Sequence, residues 1–369
     1  MRPFDLSPAN FFPPEGRLSP LLGFGTNPGD LLAHTHVPDG LPRGAPLVVV
    51  LHGCTQSAGD YDRGSGWSRL ADEQVFAVLF PEQVRANNPN LCFNWFRPGD
   101  ARRERGEAAS IRQMVAHLIA AHGLDEQRVF VTGLSAGGAM TAVMLAAYPE
   151  VFAGGAIIAG LPFATANSIP EALDRMRGGG MPDRAALAAL VADASPHAGP
   201  WPKLSIWHGT ADATVGIANA DAIADQWTAL QGLSAAPTAI DTLDGHRRET
   251  WRNASGGVQI ERITVRGLGH GTPLASTGPD GIGTPGAHML EAGINSTRHI
   301  AAFWGIASAA RATATVKEAA PSTRLASPPP ASKRAPLPIF SRRLPPLPRK
   351  VAGVAEVIDK ALRSAGLLR

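Results

Sequence analysis

The stretch Val129-Phe130-Val131-Thr132-Gly133-Leu134-Ser135-Ala136-Gly137-Gly138-Ala139-Met140 limits the folds open to this chain more than any other. Val129 to Val131 is a short β-branched and aromatic run, which reads as a buried strand. It turns at Gly133 to Gly137 and enters a helix expected over Gly138 to Tyr148, which Pro149 stops. Gly-x-Ser-x-Gly in that setting is a nucleophile elbow: a sharp strand-to-helix turn that presents a serine hydroxyl at the edge of a parallel sheet. The bare pattern is cheap in a chain with 40 glycines. It is the strand before and the helix after that give Ser135 its weight as a nucleophile.

The rest of the chain supplies the sheet such an elbow needs. Leu31 to Val37 reads as a first strand, and Leu47 to Leu51 is a continuous apolar run of the kind buried on both faces of a parallel sheet. A helix over Trp67 to Gln74 precedes a strand over Val75 to Phe80. Glu107 to Ala121 carries apolar residues at 111, 114, 115, 118 and 119, a helical stripe. Gly155 to Gly160, Lys203 to Trp207, Thr238 to Thr242, Glu249 to Trp251 and Val258 to Val265 read as later strands, the last two as a hairpin around Asn253 to Gly257. Helices are expected at 169–177, 183–194, Ala218 to Leu230 and Asn295 to Trp304, with a long loop over 267–286. Alternating strands and helices argue an α/β fold with a mostly parallel sheet. Residues 1–30 read as an irregular arm and 161–200 as a cap inserted above the sheet.

A serine needs a base, a group to orient that base, and donors for the oxyanion. In a fold of this kind the acid and the histidine follow the serine, on loops after later strands. Asp212, in His208-Gly209-Thr210-Ala211-Asp212, is the only carboxylate within a few residues of the end of the 203–207 strand; Asp221, on the next helix, is the alternative. Of His246, His270, His288 and His299, His270 directly follows a strong strand, and His288 is the runner-up. The loop His52-Gly53-Cys54-Thr55 follows an earlier strand, so the N–H groups of Cys54 and Ala136 are the expected oxyanion donors, with His52 holding the loop. Thr55, Asn94 and Trp95, in loops flanking this site, are the candidate substrate contacts.

Charge is unevenly spread. The net charge of +3 conceals a tail, residues 311–369, with 12 Lys or Arg against 3 Asp or Glu; the rest of the chain has 22 basic and 28 acidic groups. The tail begins as a proline-rich basic linker, 308–349. It ends at 350–369, where Val351, Val354, Val357, Ile358, Ala361, Leu362 and Ala365 fall on one face of an expected amphipathic helix. That segment suits an anionic or apolar surface. No stretch approaches the roughly 20 apolar residues of a membrane span. With neither C-x-x-C nor H-E-x-x-H, no metal site is expected. No cofactor and no nucleic-acid partner are expected either.

With these stretches placed, the chain resembles the poly(3-hydroxybutyrate) depolymerase family of esterases, which also includes feruloyl and acetylxylan esterases. The resemblance rests on Leu51-His52-Gly53-Cys54-Thr55-Gln56, Phe80-Pro81-Glu82-Gln83, Cys92-Phe93-Asn94-Trp95-Phe96, Arg105-Gly106-Glu107, Gly133 to Met140, and Tyr148-Pro149 with Phe152-Ala153-Gly154. It spans about 45–305 and implies an α/β-hydrolase domain over 31–307 with Ser135, Asp212 and His270 as triad. The implied activity is cleavage of short hydroxyalkanoate esters in a polyester or its oligomers, through an acyl-enzyme. A feruloyl- or acetylxylan-type carbohydrate esterase is the rival. A non-catalytic granule- or surface-binding protein is the alternative of another class. Family counterparts of Cys54 and Cys92 suggest a disulfide. Gly269-His270-Gly271-Thr272-Pro273 departs from the family pattern, which often has an aromatic after the histidine. Met1 to Pro14 lacks an uninterrupted apolar core, so a cytoplasmic or polyester-granule location is favoured over the secretion seen in several members.

Overall fold

The computed structural model describes residues 16–308. The first half of the expected arm, the linker from 309 and the segment 350–369 lie outside the described residues. The elements run in order β1 (Ser19–Pro20), β2 (Leu32–His36), β3 (Leu47–Leu51), α1 (Ala58–Ser65), α2 (Trp67–Gln74), β4 (Ala77–Glu82), α3 (Gly106–His122), β5 (Val129–Leu134) and α4 (Ala136–Ala147). They continue as β6 (Gly154–Ile158), α5 (Ile169–Met176), α6 (Arg184–Ala192), β7 (Lys203–Gly209), α7 (Ala218–Leu230), β8 (Ala239–Leu243), β9 (His246–Arg252), β10 (Val258–Val265), β11 (Thr272–Leu274), β12 (Met289–Glu291) and α8 (Ser296–Trp304). Ten strands form one sheet in the order β1-β2-β4-β3-β5-β6-β7-β10-β9-β8. The six from β4 to β10 are parallel to their neighbours, and both edges are finished by antiparallel strands. This is the mixed, mostly parallel sheet of an α/β-hydrolase.

The apolar runs fix which strands lie inside. On β3, Leu47, Val49 and Leu51 face one core with Met114, Met140, Val143 and Trp227, while Val48 and Val50 face the other with Trp67, Leu70 and Ile300. The same alternation on β5 sends Val129 and Val131 one way and Phe130 the other, where its ring stacks on Trp304 at 4.9 Å. Burial on both faces is why these strands read as unbroken apolar runs. Helix α4 is buried along its whole length, and its sequence is accordingly apolar all round.

Four features escaped the sequence, the first being β1, which pairs with β2 inside the expected irregular arm. Helix α1 is glycine- and aspartate-rich; it is held by its Ser57 cap, whose hydroxyl accepts the Asp60 N–H at 3.1 Å, and by the left-handed Gly66 at its end. The expected loop 267–286 and its continuation carry β11 and β12, a two-stranded parallel pair of three residues each, too short for periodicity to reveal. The elbow helix also starts two residues earlier than expected, at Ala136. Residues 16–31 are tied to α3, with the Gly29 N–H on Ser110 Oγ at 2.8 Å and the Asn27 N–H on Gln113 Oε1 at 2.9 Å. In 161–200, α6 packs on α7, and the end of α5 receives the Gly216 N–H on the Met176 carbonyl at 2.7 Å. Among the described residues no helix is long and apolar enough to cross a membrane.

One buried carboxyl sits in the sheet where β7 pairs with β10. Ser205 Oγ donates to Glu261 Oε1 at 2.8 Å and accepts the Trp207 indole N–H at 2.8 Å. Burial pushes the Glu261 carboxyl from 4.5 up to about 7, against the pull of Ser205 and the Arg248 charge. The folded chain thus keeps a proton that the unfolded chain has released, and stability falls as pH rises through that window. Glu261→Gln removes this titration. Relative to the unmodified protein, the variant should gain about 2–3 kcal/mol between pH 4 and pH 8. Urea midpoints at the two pH values measure it, and a difference independent of pH would contradict the argument.

Candidate active site

Strand β5 delivers Ser135 on a strained backbone, φ 58° and ψ −117°, outside the regions L-residues favour. The turn is held by the Ser135 N–H on the Ile158 carbonyl at 2.9 Å and the Ala139 N–H on the Ser135 carbonyl at 2.8 Å. The two flanking glycines are dictated by space. A Cβ at Gly133 would lie 2.5 Å from the Gly137 carbonyl carbon and 2.7 Å from the Leu51 oxygen; one at Gly137 would run into the Leu51 and His52 carbonyl oxygens. The elbow therefore rests, backbone on backbone, against the loop after β3.

Asp212 lies in the turn after β7 with its side chain fully buried. Its Oδ1 accepts the N–H groups of Thr214 and Val215, each at 2.9 Å. Its Oδ2 accepts from His270 Nδ1 at 2.8 Å. Burial works against the charge, but the His270 hydrogen bond and the backbone donors hold this carboxyl below the usual carboxylate range. With Nδ1 donating, His270 Nε2 is a bare acceptor, and the Ser135 hydroxyl meets it at 2.9 Å. The structure thus brings Ser135, His270 and Asp212 into one hydrogen-bonded line.

The competing candidates are occupied elsewhere. Asp221 pairs with Arg262, His246 Nε2 bonds the Ala292 carbonyl at 3.1 Å, and His299 pairs with Asp244 at 2.7 Å. His288 donates from Nδ1 to the His270 carbonyl at 3.0 Å, its ring edge-on to that of His270 at 5.7 Å. A side chain at Gly271 would meet the His288 carbonyl oxygen at 2.7 Å, so the space an aromatic would need there is filled by the β12 approach.

Sequence reasoning missed His208, whose position on β7 carries no motif. Its Nε2 donates to the Val215 carbonyl at 2.8 Å and lies 3.5 Å from Asp212 Oδ2. Burial lowers its basicity, so it stays neutral and braces the turn that holds Asp212.

The N–H groups of Cys54 and Ala136 have no internal acceptor among the described residues. Ala136 opens α4, so its N–H lies at the positive end of that helix. A disulfide joins Cys54 to Cys92. Behind it, Glu107 of α3 takes the Gln83 side-chain N–H at 2.6 Å, the Asn94 backbone N–H at 2.8 Å and the Asn94 side-chain N–H at 2.7 Å. Burial pushes the Glu107 carboxyl up to about 8 against these donors. Asn94 is 2% exposed, and its amide oxygen accepts from Asn88 at 3.1 Å, so its side chain is committed to the loop rather than offered to a ligand. Trp95 is buried, edge-on to Phe96 at 5.5 Å. Thr55 is exposed and lines a cleft of about 280 Å³ with Gln56, Arg63, Gly286 and His288.

A serine on a strained turn, a histidine nitrogen on its hydroxyl, a buried carboxylate behind it and free N–H groups alongside are the parts of acyl transfer. Comparison with known proteins agrees. Residues 35–251 match the family described as esterase PHB depolymerase. The chain is 46% identical over 291 residues to poly(3-hydroxyalkanoate) depolymerase C of Paucimonas lemoignei, covering 78% of this chain and 70% of that one. It is 30% identical over 265 residues to feruloyl esterase B of Talaromyces funiculosus, covering 69% and 73%. Among solved structures, an acetyl xylan esterase from Aspergillus awamori is similar with TM-score 0.63 and 26% identity, over 69% of this chain and 94% of that one.

The elbow's contact yields a direct expectation. Gly137→Ala should cost roughly 2–4 kcal/mol, because the backbone it would strike cannot rotate away. The urea midpoint reads this, and an unchanged midpoint would mean that the elbow does not lean on the β3 loop.

Proposed function

Because the chain belongs to the esterase PHB depolymerase family, we propose that it hydrolyses short hydroxyalkanoate esters, in a polyester or its oligomers, by forming an acyl-enzyme on Ser135. The chain is a carboxylic ester hydrolase. The observation that carries the mechanism is the line from Ser135 Oγ through His270 to Asp212 at 2.9 and 2.8 Å.

His270 Nε2 takes the hydroxyl proton as Oγ bonds to the ester carbonyl carbon. The imidazolium then carries a second N–H, and buried Asp212 stabilises that charge while holding the ring in place. The carbonyl oxygen becomes an oxyanion facing the N–H groups of Cys54 and Ala136. As the tetrahedral carbon collapses, the ester C–O bond breaks and His270 returns the proton to the leaving alkoxide. Water, deprotonated by the same nitrogen, then attacks the acyl carbon, releases the acid and restores the serine. No metal or cofactor enters these steps.

Support for a polyester rather than a carbohydrate ester is the stronger similarity to the polyhydroxyalkanoate depolymerase, 46% against 30% for the feruloyl esterase. Clearing of poly(3-hydroxybutyrate) film, measured beside release of ferulate and acetate from model esters, separates the two. Film clearing with little ferulate or acetate release is expected; the reverse would favour the carbohydrate esterase.

Ser135→Ala and His270→Ala should each lower kcat on p-nitrophenyl butyrate by at least about 10³-fold, with Asp212→Asn somewhat milder. Near-wild-type turnover in Ser135→Ala would refute the assignment.

Residues 350–369 are proposed to hold the enzyme on an apolar or anionic surface, such as a coated polyester granule. Their alternation of apolar residues with Lys360, Arg363 and Arg369 supports this reading. Removing 309–369 should weaken adsorption to granules and leave turnover of a soluble ester unchanged. Equal adsorption with and without the tail would sink the idea.

A further inference from the structure

We infer that His52 is a positioning residue for the oxyanion hole: it sets the orientation of the Gly53–Cys54 peptide and thereby aims the Cys54 N–H. The His52 ring is fully buried between β3 and the 83–94 loop, at 4.9 Å from the Phe93 ring. Its two nitrogens have different and fixed partners. The backbone N–H of Gln83 points at Nε2 at 3.1 Å, so Nε2 is a bare acceptor. The ring proton therefore sits on Nδ1, which donates to the Gly53 carbonyl at 2.8 Å.

That carbonyl belongs to the same peptide unit as the Cys54 N–H. In a planar trans peptide the C=O and N–H point in opposite directions. Fixing the Gly53 oxygen toward His52 therefore turns the Cys54 N–H away from the imidazole and out of the protein's own hydrogen bonding. The Gln56 N–H also reaches the Gly53 oxygen, but at 3.3 Å, the weaker of the two restraints. The preceding peptide is held separately, by the Gly53 N–H on Gln56 Oε1 at 2.9 Å.

His52 is itself anchored from behind. Gln83, whose N–H it accepts, donates its side-chain amide to Glu107 at 2.6 Å and to the Cys92 carbonyl at 3.1 Å. The Cys54–Cys92 disulfide joins the same two loops. A donor aimed before the substrate arrives needs no reorganisation as charge develops, which is what makes an oxyanion hole effective.

The inference rests on reading the Cys54 N–H as an oxyanion donor, and the test separates it from the esterase reading. His52→Phe keeps the ring volume without either hydrogen bond. His52→Asn keeps a donor at the δ position. His52→Gln moves the amide to the ε position, where it meets Gln83 but not Gly53. The full-length variants are assayed on p-nitrophenyl butyrate and with an alkyl boronic acid, whose tetrahedral adduct on serine carries an oxyanion-like oxygen. In His52→Phe and His52→Gln, kcat should fall about 10- to 100-fold with KM within about 3-fold, and the boronic acid should bind weaker by a similar factor. His52→Asn should stay within about 5-fold of the unmodified enzyme on both. If His52→Phe does not fold, the contrast between Asn and Gln carries the test alone. Equal losses in Asn and Gln, an unchanged kcat in Gln, or a kcat loss without weaker boronic acid binding would each overturn the inference. If the unmodified enzyme turned over no ester at all, the esterase reading would fall with it.

Discussion

The site depends on one contact that involves no side-chain chemistry: the approach of the elbow backbone to the carbonyls of Leu51 and His52. Two neighbouring parallel strands, β3 and β5, end at the same level, and each must hand its chain to a helix without colliding with the other. Only a residue without a Cβ fits at 133 and 137, and only a strained φ at Ser135 turns the hydroxyl outward between them. That contact brings the serine, the first N–H of α4 and the loop bearing Cys54 to the same few ångströms of sheet edge. Everything else in the site adjusts groups around it.

Two buried polar braces make those adjustments, on opposite sides of the serine. On one side Glu107, Gln83 and His52 support the loop that offers the Cys54 N–H. On the other, His208 braces the 212–215 turn, whose two N–H groups orient Asp212 and, through it, His270. Each brace places an uncharged or hydrogen-bonded group where an unpaired one would cost of the order of 1–3 kcal/mol. Each also joins segments far apart in sequence, so loss of either brace is expected to act on geometry before it acts on the fold.

The amount of this that was legible in the sequence follows from the range of each signal. Strands such as 47–51 and the 129–131 part of β5 were readable because burial on both faces leaves an unbroken apolar run. The elbow was readable because its glycines are fixed by local sterics, and Asp212 and His270 because each directly follows a strand. Helix α1 is held by a cap and a left-handed glycine, and β11 and β12 by pairing across fourteen intervening residues; neither leaves a periodic trace. Asn94 gives its side-chain N–H to Glu107 and takes the Asn88 side-chain N–H on its amide oxygen, contacts that no local pattern announces. A sequence shows that Arg105-Gly106-Glu107, Phe80 to Gln83, Cys92 to Phe96 and Leu51 to Gln56 are present; it does not show that the first three meet at the buried Glu107 carboxyl, or that the fourth joins them through the Gln83 N–H on His52 and the Cys54–Cys92 disulfide. That convergence gives a physical reason for the four stretches to occur together.

Hydrolysis by this enzyme is proposed to pass through a covalent ester on Ser135. Mass spectrometry of the enzyme quenched with acid during turnover of a 3-hydroxybutyrate trimer tests it most directly. A hydroxybutyryl-containing acyl adduct is expected on the peptide bearing Ser135, absent in Ser135→Ala. Steady turnover with no adduct on that peptide, or an adduct on another residue that persists in Ser135→Ala, would contradict it.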